Sequence, residues 1–136
     1  MADVTITAAS VLASANAKKR SVRYGATITA GLALYEDTSD LNDAKIADCT
    51  TSAATAAVAG IALNGGGDGQ PGEMVTEDDD FTPGGTLVAG TVYVLSTAGK
   101  ICPIADVLAN DYITVLGVAK STTKMIFKPM KSGVKL

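Results

Sequence analysis

Apolar positions in this chain fall in short runs separated by polar turns, and the alternating period of a pleated strand dominates. Asp3-Val4-Thr5-Ile6-Thr7 alternates strictly, which puts Val4 and Ile6 on one face and the carboxylate and hydroxyls on the other. Residues 8–16 are rich in Ala and Ser and read as an arm or a loosely held strand, and Ser21 to Tyr24 opens the body. Leu32 to Glu36 and Lys45 to Asp48 pair as a hairpin around residues 37–43, whose Asp, Asn and Ser side chains favour turns. Thr50, Thr51 and Ser52 are N-cap types followed by alanines, so Thr50 to Ala57 is predicted as a short helix that Gly60 breaks into the strand Ile61-Ala62-Leu63. Asn64 to Gly72 reads as an exposed glycine-rich loop, Glu73 to Thr76 as a strand, and Glu77 to Gly85 as a second polar loop. Thr91 to Ser96 and Lys100 to Cys102 form a second hairpin, Pro103 to Leu108 holds one helical turn, and Tyr112 to Ala119 and Lys124 to Lys128 are strands. The expected fold is all-β, a small β-barrel or sandwich with one or two very short helices.

Two stretches read as one ribbon written twice. The first runs Ala30-Gly31, Leu32 to Tyr35, a turn, Ala44-Lys45-Ile46, a spacer, then Val58-Ala59-Gly60-Ile61-Ala62. The second runs Ala89-Gly90, Thr91 to Leu95, a turn, Gly99-Lys100-Ile101, a spacer, then Val115-Leu116-Gly117-Val118-Ala119. A doubled strand–turn–strand–spacer–strand unit marks a β-domain built from a degenerate internal repeat.

Composition sharpens this picture. Hydrophobic residues make up 47% of the 136 but aromatics only 4%, with no Trp, so the apolar mass is Ala, Val, Ile and Leu. Such side chains suit packed strands, and a core of small residues leans toward self-association. Met1-Ala2-Asp3 has neither the basic n-region nor the apolar h-region of a signal peptide, and the apolar stretch Ala53 to Leu63 is too short to span a bilayer. Cys49 and Cys102 lie far apart without metal-type spacing and read as two free, buried thiols, with a disulfide or metal site as the alternative.

The net charge of −3 is unevenly spread. Lys18, Lys19, Arg20 and Arg23 make a basic cluster near the start, residues 36–80 hold eleven acids against Lys45 alone, and Lys120, Lys124, Lys128, Lys131 and Lys135 follow with no acid after them. The segments can attract one another within the chain or across a subunit boundary. A negative overall field and basic stretches without aromatics argue against nucleic-acid binding. The Lys18–Arg23 cluster is either a charged strand edge that resists stray pairing or a contact for an acidic partner.

Catalytic chemistry is thin. With no histidine, the Ser-His-Asp and Cys-His arrangements and His-based metal sites are absent, and no enzyme motif is present. Asn64 to Gln70 lacks the Gly-Lys-Ser/Thr ending of a phosphate loop and reads as a surface turn. Glu77-Asp78-Asp79-Asp80 offers hard oxygen ligands, yet four consecutive acids on an extended chain cannot all face one cation. No cofactor is expected.

The phrases Val58-Ala59-Gly60-Ile61-Ala62-Leu63-Asn64, Gly69-Gln70-Pro71-Gly72, Gly90-Thr91-Val92-Tyr93-Val94-Leu95-Ser96 and Val115-Leu116-Gly117-Val118-Ala119 resemble the small capsid decoration, or cement, proteins of tailed bacteriophages, over roughly residues 25–120. The resemblance implies a β-rich, non-enzymatic virion protein, made in the host cytoplasm, that binds the major capsid protein on the outer surface of the head as a homotrimer and stabilises the shell. A phage tail or fibre component, or a β-rich binding module, is the competing class. The resemblance carries no motif residues over. From the residues themselves, the division expected is an N-terminal arm and first strand over 1–24, a β-domain over 25–128 and a basic tail over 129–136. The expected partner contacts are Asp3, Val4, Thr5, Ile6 and Thr7 by strand addition, with Lys18, Lys19, Arg20 and Arg23 behind them; neither nucleic acid nor membrane is an expected partner.

Overall fold

The computed structural model describes residues 2–136 and is built from antiparallel strands. They are β1 (Lys18–Arg23), β2 (Ala33–Asp37), β3 (Asp43–Ile46), β4 (Gly60–Ala62), β5 (Pro71–Phe81), β6 (Val92–Leu95), β7 (Ile101–Pro103), β8 (Tyr112–Ala119) and β9 (Met125–Lys135). The all-β expectation holds. Helical structure among the described residues is confined to the 3-10 turns Ala8–Ser10, Thr97–Gly99 and Ile104–Asp106.

Hydrogen-bonded neighbours run β3-β2-β4-β5-β9-β8-β6-β7, with β1 added beside β5. Read from the centre outward, the first half (5-4-2-3) and the second half (9-8-6-7) have the same order, so the repeat extends to a fourth strand in each half. The match reaches individual residues. Leu34 opposes Gly60 and Ala33 opposes Ile61, as Tyr93 opposes Gly117 and Val92 opposes Val118. The Gly31 amide donates to the Ala62 carbonyl and the Gly90 amide to that of Ala119, each at 2.8 Å. Both glycines have positive φ, +96° and +82°, the left-handed turn that admits glycine without a Cβ penalty. One part of the sequence alignment is shifted. Ile46 pairs with Leu34, whereas the residue opposite Tyr93 is Pro103, so the two Lys-Ile phrases sit two positions out of step.

The halves pack outer face to inner face. In the first, the sheet curls until Tyr24 bridges Ala44, and Tyr24, Ile28, Leu34, Ala44, Ala62 and Met74 enclose a core of their own. Ala33, Ile61 and Val75 on the opposite face join the larger core with Tyr93, Leu116, Met125 and Phe127 of the second half. Their repeat equivalents in the second half, Val92, Val118 and Ile126, form a cross-strand row turned outward, with Val118 and Ile126 38% and 42% exposed.

Four expectations are corrected. Thr50 to Ala57 is a string of turns: the Thr55 hydroxyl donates back to the Asp48 carbonyl, and a run this short does not repay helix nucleation. The exposed glycine-rich loop expected over Asn64 to Gly72 ends at Gln70, since Pro71 and Gly72 already belong to β5, and it also covers Tyr24. The Tyr24 hydroxyl donates to the Asn64 carbonyl at 2.8 Å, and a Cβ on Gly66 or Gly72 would meet the Tyr24 ring at 2.9 or 2.1 Å. Glu77 to Phe81 continues β5 rather than forming a loop, and residues 129–135 continue β9 rather than forming a separate tail.

Candidate functional site

The segment expected to engage a partner lies on the body as a strap. The Val4 amide donates to the Ile101 carbonyl and the Thr7 amide to that of Gly84, each at 2.8 Å, while Leu12 and Thr82 exchange both backbone bonds. Val4, Ile6 and Val11 pack against the main core. Three glycines make the groove: a Cβ on Gly31 would stand 2.6 Å from Ile6, one on Gly84 2.7 Å from the Thr7 carbonyl, and one on Gly85 2.5 Å from Val4. The alternation of residues 3–7 correctly separates an apolar from a polar face, but the segment is irregular backbone, since its backbone bonds reach two separate stretches of the body, at Ile101 and Gly84, instead of one strand. Asp3 accepts a hydrogen bond from the Ser96 hydroxyl. Thr5 and Thr7 remain exposed.

The basic cluster is β1, laid along β5 from Lys18 opposite Glu77 to Arg23 opposite Pro71. Lys18 pairs with Glu77 at 3.6 Å, and Arg20 pairs with Glu36 across the mouth of the first half. Lys19 and Arg23 have no ion pair among the described residues and remain exposed. Half of the cluster therefore answers acids of its own chain.

The acidic run 77–80 is likewise divided. Asp78 is buried and accepts from the Ser14 amide at 2.8 Å and from the Ser14 hydroxyl, tying the strap to β5. Asp80 takes Lys124 at 2.9 Å and Lys120 at 3.2 Å, and those hydrogen bonds, Lys124 first, hold its carboxyl below the usual range. Among the described residues no group of three or more Cys, Asp or Glu is arranged to hold a metal ion.

Asp37 bonds Lys45 at 2.8 Å and the Ser39 hydroxyl, and these contacts push its carboxyl down to about 2. Cys49 and Cys102 are buried free thiols. Desolvation, reinforced by Asp111 beside Cys49 and Asp3 beside Cys102, pushes them up to about 12 and about 11. Thiols so raised are poor nucleophiles at neutral pH. No helix among the described residues is long and apolar enough to cross a membrane.

The surface that residue-by-residue reading passed over is the far half of β9. Beyond Phe127 it pairs only with β8, and Lys128 and residues 130–135 are exposed along its free side. The run of lysines without acids was the available signal. Compared with known proteins, the chain matches no family model and no curated protein.

Proposed function

We propose that this chain is a structural, non-catalytic virion protein that binds the outer surface of a phage head as a homotrimer and stabilises the capsid shell through the major capsid protein. The observation that carries the reading is the repeat. The phrases that resemble cement proteins lie in the paired units of the two halves, and their landmark glycines 31, 60, 90 and 117 each hold a close backbone contact or turn. The buried, raised thiols are consistent with it. Of the expected contact residues, Val4 and Ile6 are turned into the body, so the contact falls to what stays outside: Thr5, Thr7, Lys18, Lys19, Arg20 and Arg23.

The test is binding of the purified protein to empty, expanded heads that lack it, with the mass measured by light scattering. Saturable binding by a species of three chains supports the reading. Binding to isolated tails or fibres and not to heads would replace it with the tail-component class.

A further inference from the structure

Apart from the outer side of β1, which pairs with β5 alone, most sheet edges among the described residues are covered. The edge of β3 meets Tyr24 and Gly25, with the Gly25 amide donating to Ala44; that of β7 meets the strap through Val4. The outer edge of β5 is taken by β1 as far as Glu77 and by β9 beyond it. β9 is different. Had its register with β5 continued from Asp78–Phe127, Thr76 would oppose Pro129 and Met74 would oppose Lys131. β1 already occupies that edge, with Arg20 opposite Met74. β9 is therefore displaced past Phe127 with a free backbone edge.

A groove runs alongside that strand. Two adjoining hollows of about 380 and 300 Å³ share Ala57 and Lys131. One wall is Pro129, Lys131, Ser132 and Gly133 of β9, and the other is the small-residue turn containing Ala53, Ala57 and Ala59. Lys131 borders both hollows, and Lys128 and Lys131 have no ion pair among the described residues. Glu36 at one end is already held by Arg20. The groove thus offers main-chain donors and acceptors and positive charge without an ion pair among the described residues.

We propose that this edge and groove are a docking site for an extended acidic segment of a partner protein, added as a further strand beside β9. Charge selects the occupant. Pairing with the same edge of a second copy would bring Lys128 and Lys131 against their own counterparts, and β1 would add Lys19 and Arg23, which have no ion pair among the described residues. An incoming strand with carboxylates at alternate positions answers the lysines while its main chain pairs with residues 130–135, Pro129 having no amide to offer. The inference rests on the proposed function only for naming the partner as the shell subunit.

Two arms separate the claims. In the first, the full-length labelled chain is titrated with a capped peptide of about ten residues alternating Asp with Val and Thr, and with its Lys-for-Asp counterpart, while amide exchange is followed by NMR. The acidic peptide is expected to slow exchange in residues 130–135 and to shift Ala53 and Ala57, less so at high salt. Lys131→Glu should weaken it about tenfold or more with the spectrum otherwise retained. No protection at 130–135, or equal protection by the lysine peptide, overturns the proposal. In the second arm, Lys131→Glu is bound to empty expanded heads. Weakened binding supports the edge as a further shell contact beside the exposed residues of the strap and β1, and unchanged binding removes the shell subunit as its occupant. If the unaltered chain ignores heads yet takes up the acidic peptide, the proposed function fails and the docking edge stands.

Discussion

Replacing Gly117 by Ala tests the strand register at its tightest point. Gly117 lies in β8 opposite Phe127, with φ +155°, and a Cβ there would stand 1.7 Å from the Ile126 carbonyl oxygen. Real Cβ contacts do not fall below 3.0 Å, so β8 and β9 must separate locally by about 1.3 Å, beyond the tolerance of a hydrogen bond. Two ladder bonds lost at about 1 kcal/mol each, and about 2 kcal/mol from partial opening of Leu116 and Phe127, give a loss of about 4 kcal/mol. The repeat supplies the controls. Gly60→Ala, whose Cβ would meet the Val75 carbonyl at 2.5 Å, should cost about 2 kcal/mol, and Gly90→Ala, with φ +82° and open space around it, about 1 kcal/mol. Urea unfolding of the three variants should rank them 117, 60, 90 in loss of midpoint at unchanged slope. If Gly117→Ala unfolds at the same midpoint as Gly90→Ala, the close approach of β8 and β9 is wrong.

Acid should weaken the β2–β3 hairpin. The folded carboxyl of Asp37 is held near 2, below its unfolded value, so its contribution is full above about pH 4 and is lost as pH falls through about 2; NMR shifts of Ser39 and Lys45 should follow that titration, and Asp37→Asn should remove it. Both thiols should resist a disulfide-exchange reagent at pH 8 in the folded chain and react as two per chain after denaturation without reductant, because burial holds them near 12 and 11; rapid reaction of the folded protein, or fewer than two thiols after unfolding, would contradict that environment.

Local pattern was enough to read much of the fold. β8 was legible to its end residues because Tyr112 to Ala119 is an apolar run bounded by polar turns. The repeat was legible because Gly31, Gly60, Gly90 and Gly117 are forced by backbone approaches or positive φ, and such positions tolerate little else. What escaped depended on distant partners. A run of four acids looks unlike a strand until Ser14, Lys18, Lys120 and Lys124 arrive from elsewhere in the chain to meet Asp78, Glu77 and Asp80. Residues 129–135 looked like a tail because Pro129, Lys131 and Lys135 are edge-strand residues, and edges carry weak alternation. In the arm, the apolar face of Val4 and Ile6 was readable, but the groove that receives it is cut by Gly31, Gly84 and Gly85, which no local window connects to residue 4. The same holds for the candidate docking groove, whose two walls come from residues 53–59 and 129–133.

The unequal packing of the two halves gives the chain a direction in time. The first half holds a closed core around Tyr24 and Met74 that needs nothing from residues beyond 76. The second half has no comparable private core, and its inner side chains Tyr93, Leu116 and Phe127 are covered by Ala33, Ile61 and Val75 from the first. A chain emerging from the ribosome from its N-terminus can thus set its first half before the second is complete, and the finished surface then serves as the template on which the second half assembles.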